Sequence, residues 1–286
     1  MIKLKNLDVY ITGQCNYQCE YCYGESDTCG AMEKDVYMQA IAFGHFLNVA
    51  NIQMCGGEPL VCPFFEEYAD IARKNGFSVI LRTNGILINK HINFIVNSCS
   101  WVGISIDGLP KENAIMRKPR FPISPKEQFD IPIKSIFELK RLNPNLKIIL
   151  ASVASKKNYQ KLPDFAYYLI EKDVPIDKWK IYEFINDKFR SGINNSKFAM
   201  TTDEFDFLVE KMPHQINHAP VQIQSAHTDR VAANCLIVYQ NGDINLLGKT
   251  YGNVLTTPFQ SIIERLIFDN ALDVICDNKE NTYEIK

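Results

Sequence analysis

The chain reads as an α/β protein built on a parallel sheet, and three observations predict it. Strand-like and helix-like runs alternate from residue 7 to residue 185, the pattern of consecutive βαβ units. About six such units fit before residue 190, too few for a closed eight-stranded barrel. The polar and glycine-bearing motifs fall at the ends of the strand-like runs, where ligands gather in parallel α/β folds.

Residues 7–12 form the first strand-like run and lead into a cysteine-rich loop. Residues 35–49 repeat apolar side chains at helical spacing. Ile52-Gln53-Met54-Cys55 is a short strand that ends in Gly56-Gly57-Glu58-Pro59. Residues 64–75 are helical, residues 77–83 a strand, and Asn84-Gly85 a turn. Residues 91–98 read as a helix and 101–107 as the next strand. The five prolines between 109 and 132 predict a loop (Pro110, Pro119, Pro122, Pro125, Pro132), and a loop that long predicts a lid over the site. Then come a helix at 135–142, a strand at 146–153, a helix at 162–172 and a strand at 179–185. Further on, 203–212 is helical, 221–223 and 235–239 are short strands, and 258–267 is a closing helix. No internal repeat, low-complexity tract or flexible linker interrupts the pattern, which predicts a catalytic core at 1–190 and a C-terminal extension at 191–286.

Composition bounds the function. The chain has 286 residues, 46% hydrophobic and 22% charged, with a formal net charge of −2 and no long basic run. That balance does not suggest a polyanion-binding surface, so no nucleic acid partner is expected. No apolar run approaches the roughly 20 residues that span a bilayer, and the start lacks the apolar core of a signal peptide. Nine cysteines in that setting predict reduced thiols in a cytoplasmic protein.

Three of those cysteines carry the chemistry. Cys15, Cys19 and Cys22 stand at C-x3-C-x2-C in Cys15-Asn16-Tyr17-Gln18-Cys19-Glu20-Tyr21-Cys22-Tyr23. One tight loop can place three thiolates around a soft metal centre, and thiolates are the ligands of iron–sulfur clusters. A cubane of four irons held by three cysteines keeps one iron open to a ligand. The alternative is a zinc-stabilised, non-catalytic binding protein that uses Cys29 as a fourth ligand. Zinc motifs come as two close pairs, which this triplet is not.

The loop resembles the signature of the radical S-adenosylmethionine (radical SAM) enzymes, and the resemblance covers most of residues 7–185. It implies a partial (β/α)6 barrel with a short C-terminal α+β extension. It also implies a [4Fe-4S] cluster on Cys15, Cys19 and Cys22, with S-adenosylmethionine (SAM) chelating the fourth iron. The reduced cluster then cleaves SAM to a 5′-deoxyadenosyl radical that takes a hydrogen atom from the substrate. Gly56-Gly57-Glu58-Pro59 matches the family's GGEP motif, which binds the SAM amino group. Tyr21 matches an aromatic position near the adenine. Thr83, Asn84, Ser105 and Asp107 stand at strand ends where the ribose or the methionine part of SAM would lie, and each is equally a helix-capping residue. Ser152 and Val153 match the strand that contributes to the SAM pocket. Arg117 matches an arginine for the SAM carboxylate, with Lys118 and Arg120 as neighbours able to share that role.

Residues 178–184, 198–205 and 236–244 resemble the viperin-like branch of the family, and residues 236–244 equally resemble a reduced SPASM extension of peptide-modifying members. An auxiliary cluster is not expected, because Cys235 is alone in that region, with Asn245, Leu246 and Leu247 where a second cysteine would stand, and Cys276 is distant. Cys62 and Cys99 read as small buried hydrophobes. Cys55 borders the GGEP turn and, with Lys180 and Glu183, is a candidate substrate contact. His91, His214, His218 and His227 show no metal-ligand spacing. A peptide or small-molecule substrate and a flavodoxin or ferredoxin as electron donor complete the expectation. Asn51, Gln53, Ile149 and Ala151 occupy places where a triphosphate-binding relative would carry lysine and asparagine. That favours a peptide over a viperin-like nucleotide substrate, the two lysines Lys178 and Lys180 being too few to cradle a triphosphate.

Overall fold

The computed structural model describes residues 4–22, 30–184, 195–225, 236–246 and 248–269. Six strands form the centre of one sheet: β1 (Asn6–Thr12), β2 (Asn51–Gly56), β3 (Ser78–Thr83), β4 (Trp101–Ser105), β5 (Lys147–Ala154) and β6 (Lys178–Glu183). Each pairs in parallel with the next, in register Val9↔Met54, Met54↔Leu81, Leu81↔Val102, Val102↔Ile148 and Leu150↔Trp179. Between them run α1 (Lys34–Phe46), α2 (Phe65–Lys74), α3 (Ile88–Ser98), α4 (Pro110–Met116), α5 (Pro125–Leu142) and α6 (Leu162–Glu171). This is the partial (β/α)6 barrel expected from the alternation of elements.

Side-chain alternation along the strands decides where the core sits. Leu7, Val9 and Ile11 on β1, Ile52 and Met54 on β2, and Val79 and Leu81 on β3 are buried in the main core with the helices. Val102, Ile104, Ile148, Leu150, Trp179 and Ile181 continue that layer. Phe165 of α6 meets both Trp179 and Phe129 of α5 edge-on, at 5.3 and 5.8 Å between ring centroids. The other face mixes Asp8, Tyr10, Gln53, Cys55, Arg82, Ser105, Lys178 and Lys180 with the apolar Ile80, Ile149 and Ala151. A face carrying that many polar and charged groups does not pack as a dry core.

The region 109–132 is not the long loop its prolines suggested. Pro110 and Pro125 stand in the first turns of α4 and α5, where a missing N–H costs nothing and the fixed φ favours the helix. Ser124 and Glu127 close a capping box at the start of α5, and Pro132 is buried inside that helix. Only the residues between the two helices are irregular, and they are tied down (below).

The C-terminal part adds α7 (Asn195–Phe198), α8 (Thr202–Lys211), β7 (Gln215–Ile216), β8 (Ala219–Gln224), β9 (Ile237–Val238), β10 (Asp243–Leu246), β11 (Lys249–Asn253) and α9 (Phe259–Phe268). β8 extends the sheet in parallel beyond β6, and β9 pairs in parallel with β1 at the opposite edge. The described residues of core and extension therefore share one eleven-stranded sheet. Among the described residues no helix is long and apolar enough to cross a membrane.

Candidate active site

The cysteine loop leaves the end of β1 and is held from two sides. On one side Gly57 N–H donates to the Thr12 carbonyl at 2.9 Å and Glu58 N–H to the Gln14 carbonyl at 2.8 Å. A β-carbon on Gly56 would stand 2.2 Å from Thr12 O, and one on Gly57 2.1 Å from Gln14 O. The two glycines are required by this close approach of the GGEP turn to the chain entering the cysteine loop. On the other side the loop is zipped to the segment between α4 and α5. Gln18 N–H donates to Lys118 O at 2.6 Å, Arg120 N–H to Asn16 O at 2.9 Å, and Tyr17 bridges to Pro119. Residues 117–120 are thus a clamp on the cysteine loop rather than part of a free lid.

Within the loop, Cys15 and Cys19 are half-buried and Cys22 is exposed. Tyr17 N–H donates to Cys15 Sγ at 3.3 Å. Burial pushes the Cys15 thiol up to about 12, against that hydrogen bond. Burial also raises Cys19, against the pull of Arg117. Among the described residues no group of three or more Cys, His, Asp or Glu side chains is placed to hold a metal ion. Cys29, the fourth ligand of the zinc alternative, lies outside the described residues, as do Cys235 and Cys276.

Glu58 is buried and accepts from Leu60 N–H at 3.1 Å, Thr83 Oγ1 at 2.7 Å and Asn84 N–H at 2.7 Å. Burial raises its carboxyl, against these three donors. Asn84 Nδ2 donates in turn to Asn16 Oδ1 at 2.7 Å, so the end of β3 grips both the GGEP turn and the cysteine loop. One cavity is lined by Cys15, Cys19, Cys22, Cys55, Gly56, Gly57, Glu58, Thr83, Asn84, Ser105 and Arg117, together with Tyr17, Gln18 and Arg82. Two larger hollows at the surface lack such a set.

Asp107, Tyr21, Ser152 and Val153 stand behind this cavity rather than on its wall. Asp107 is fully buried and accepts from the Tyr21 hydroxyl, from Arg117 Nη1 at 3.0 Å and from Val153 N–H at 2.8 Å. Burial, outweighing the nearby Arg117, pushes the Tyr21 hydroxyl upward and keeps it a donor. Its ring packs with Phe198, Met116 and Phe184. Ser152 Oγ donates to Ile106 O and accepts from Trp179 Nε1 at 3.0 Å, a tie between β5 and β6. Of the three neighbouring cations, Arg117 lines the cavity and its Nε is buried without a partner. Lys118 instead caps the Ala114 carbonyl, and Arg120 Nε donates to Tyr17 O at 3.3 Å.

Lys180 and Glu183 lie on opposite faces of β6, because an odd separation reverses the side chain. Lys180 shares the inner face with Lys178 and Tyr182, whereas Glu183 is buried with the Trp179 face and accepts from Ser225 Oγ at 2.9 Å. Tyr17, Gln18 and Arg82 are the cavity residues that the sequence reading passed over. The signal for Arg82 is a lone arginine inside the apolar run Val79-Ile80-Leu81-Arg82-Thr83.

The residues present fit a cluster and SAM. Three thiols and a buried carboxylate share a cavity with a guanidinium whose Nε has no partner, which suits thiolate-bound iron and a zwitterionic amino acid. A family model described as the Radical SAM superfamily matches residues 9–151. An S-adenosylmethionine-dependent nucleotide dehydratase of a Thermoplasmatales archaeon is 28% identical over 40% of this chain and 41% of that protein. A second, from Selenomonas ruminantium, is 23% identical over 93% of this chain and 96% of that protein. Among solved structures, Streptococcus suis SuiB bound to precursor peptide SuiA superposes with a TM-score of 0.70 at 15% identity. That match covers 98% of this chain and 66% of SuiB, and it is a likeness of fold.

Proposed function

The chain belongs to the radical SAM superfamily, whose enzymes use a [4Fe-4S] cluster and SAM, and from that premise we propose how its residues divide the work. Cys15, Cys19 and Cys22 would hold the cluster, and Glu58, Thr83, Asn84, Ser105 and Arg117 would bind SAM. The observation that carries this division is the single cavity onto which all of these residues open. When bound, cluster and SAM supply one-electron chemistry and hydrogen-atom abstraction, with a flavodoxin or ferredoxin as external donor. The buried Glu58 offers a fixed acceptor for an ammonium, and Arg117 a fixed donor for a carboxylate. Asp107 and Tyr21 hold Arg117 in place, while the GGEP turn and residues 117–120 fix the cysteine loop.

The substrate is read as a peptide held on the inner face of the barrel. Supporting this, Ile149 and Ala151 leave that face apolar beside the lysines. The Gln53 amide is occupied, donating to Asp8 Oδ1 at 2.9 Å and accepting from Arg82 Nε at 3.0 Å. Among the described residues, three cations on that face, Arg82, Lys178 and Lys180, are few for the several charges of a triphosphate. A second reading, a nucleotide substrate, is favoured by the names of the relatives, one of them aligned along almost its whole length. The test incubates reduced, cluster-loaded protein and SAM with each common ribonucleoside triphosphate. The peptide reading expects no more 5′-deoxyadenosine than SAM alone gives. A substrate-dependent burst with any one of them selects the nucleotide reading.

A further inference from the structure

Arg82 sits on β3 one residue inside Thr83, so it points from the SAM-binding rim toward the barrel interior, and it lines the same cavity as the cysteines. Its guanidinium is held by two features. Gln53 Oε1 accepts from Arg82 Nε, and the Gln53 amide is itself aligned by donating to the buried Asp8 carboxylate. The second feature is an absent side chain. Gly103 lies opposite Arg82 in the β3–β4 register, and a β-carbon there would stand 2.6 Å from Arg82 Nη1 and 2.7 Å from its Cδ. The glycine thus makes the slot in which the arginine lies.

A guanidinium has five N–H donors, and among the described residues only Nε of Arg82 has a hydrogen-bond partner, a neutral one. Its other nitrogens, unlike the buried Arg117 Nε, are not sealed off without a partner, so their N–H donors are open to a ligand in the cavity. The planar fork matches a carboxylate or a phosphate, which it can bind through two parallel bonds. Arg117, which lines the same cavity, is already assigned to the SAM carboxylate. We propose that Arg82 anchors an anionic group of the substrate, a carboxylate or a phosphate, and that Asp8, Gln53 and Gly103 hold it ready to do so.

This rests on the radical SAM reading above, and the experiment separates the two. Cluster-loaded, SAM-saturated wild type is titrated calorimetrically with N-acetylaspartate, for the carboxylate source, and with inorganic pyrophosphate, for the phosphate source. Arg82→Met, Arg82→Lys and Gly103→Ala are titrated in the same way, and SAM affinity and thermal unfolding are measured for every variant. One of the two probes is expected to bind wild type, and which one names the source. Arg82→Met should weaken it about tenfold or more, and Arg82→Lys should recover part of the loss. Gly103→Ala, which keeps the charge but crowds the slot, should also weaken the probe. SAM affinity should stay within about threefold of wild type in all three. Probe affinity indifferent to Arg82, no probe binding to wild type, or a loss of SAM affinity in parallel with the probe overturns the proposal. Failure of wild type to bind a cluster or SAM would instead count against the underlying reading.

Discussion

The Tyr21 hydroxyl donates to Asp107 Oδ2, and Arg117 Nη1 reaches both oxygens at 3.0 Å. The residue before the third cysteine is thereby locked to the end of β4 and to the arginine that faces the cavity. Asp107→Asn leaves Arg117 buried without its counter-charge and should destabilise the protein by about 3 kcal/mol. Tyr21→Phe removes the hydroxyl that donates to Asp107 and accepts from Arg117, and should cost about 1–2 kcal/mol. Urea unfolding of the metal-free proteins measures both. Equal effects would mean that the Arg117–Asp107 pair does not depend on its charge.

Much of this site was legible in the sequence because its parts are contiguous. The cysteine triplet, Gly56-Gly57-Glu58 and Thr83-Asn84 are short runs at strand ends, and the structure brings them to one cavity. Asp107 and Tyr21 were visible as positions but not as partners, since they meet only through the fold, 86 residues apart. Lys180 and Glu183 are both candidate substrate contacts by sequence, but their odd spacing turns Glu183 to the opposite face. The stretch 109–132 misled because proline ends a helix in its interior but favours its first turn. Arg82 was missed because no motif encodes a slot made by a glycine on the neighbouring strand.

A Gly57→Ala substitution tests the contact between the GGEP turn and the cysteine loop. The added methyl would overlap the Gln14 carbonyl, a backbone atom that cannot swing away. The expected result is a folded protein that retains well under half of the wild-type iron after reconstitution, measured with sulfide per chain. Wild-type iron content would show that the turn and the loop are not coupled.

Helix α5 should be ordered with or without SAM. Its amides beyond the first turn are expected to show the same protection from hydrogen exchange in both states. Ser124→Ala should cost about 1 kcal/mol by removing the capping box. Protection of residues 125–142 that appears only when SAM is added would restore the lid.

Asp177 joins α5 to β5, pairing with Lys140 at 2.6 Å and Lys147 at 2.9 Å and accepting from Ile148 N–H at 2.8 Å. Burial pushes its carboxyl up, but these donors more than offset it and the net shift is downward. A depressed carboxylate stabilises the fold above its unfolded value, about 3.9, and that stability is lost as pH falls through the folded value. Asp177→Asn should therefore cost about 1–2 kcal/mol at neutral pH, with the difference from wild type shrinking below about pH 4. A difference that stays constant across that range would mean that the charge of Asp177 contributes nothing.

The cluster assignment is tested most directly by replacing Cys15, Cys19 and Cys22 together with alanine. Wild type and variant are reconstituted anaerobically, reduced and given SAM, and iron per chain and 5′-deoxyadenosine are measured on the same samples. Wild type should carry about four irons, one cubane cluster, and form 5′-deoxyadenosine, while the triple variant carries no cluster and forms none. Cluster absorbance or 5′-deoxyadenosine in the triple variant, or their absence in wild type, would contradict it.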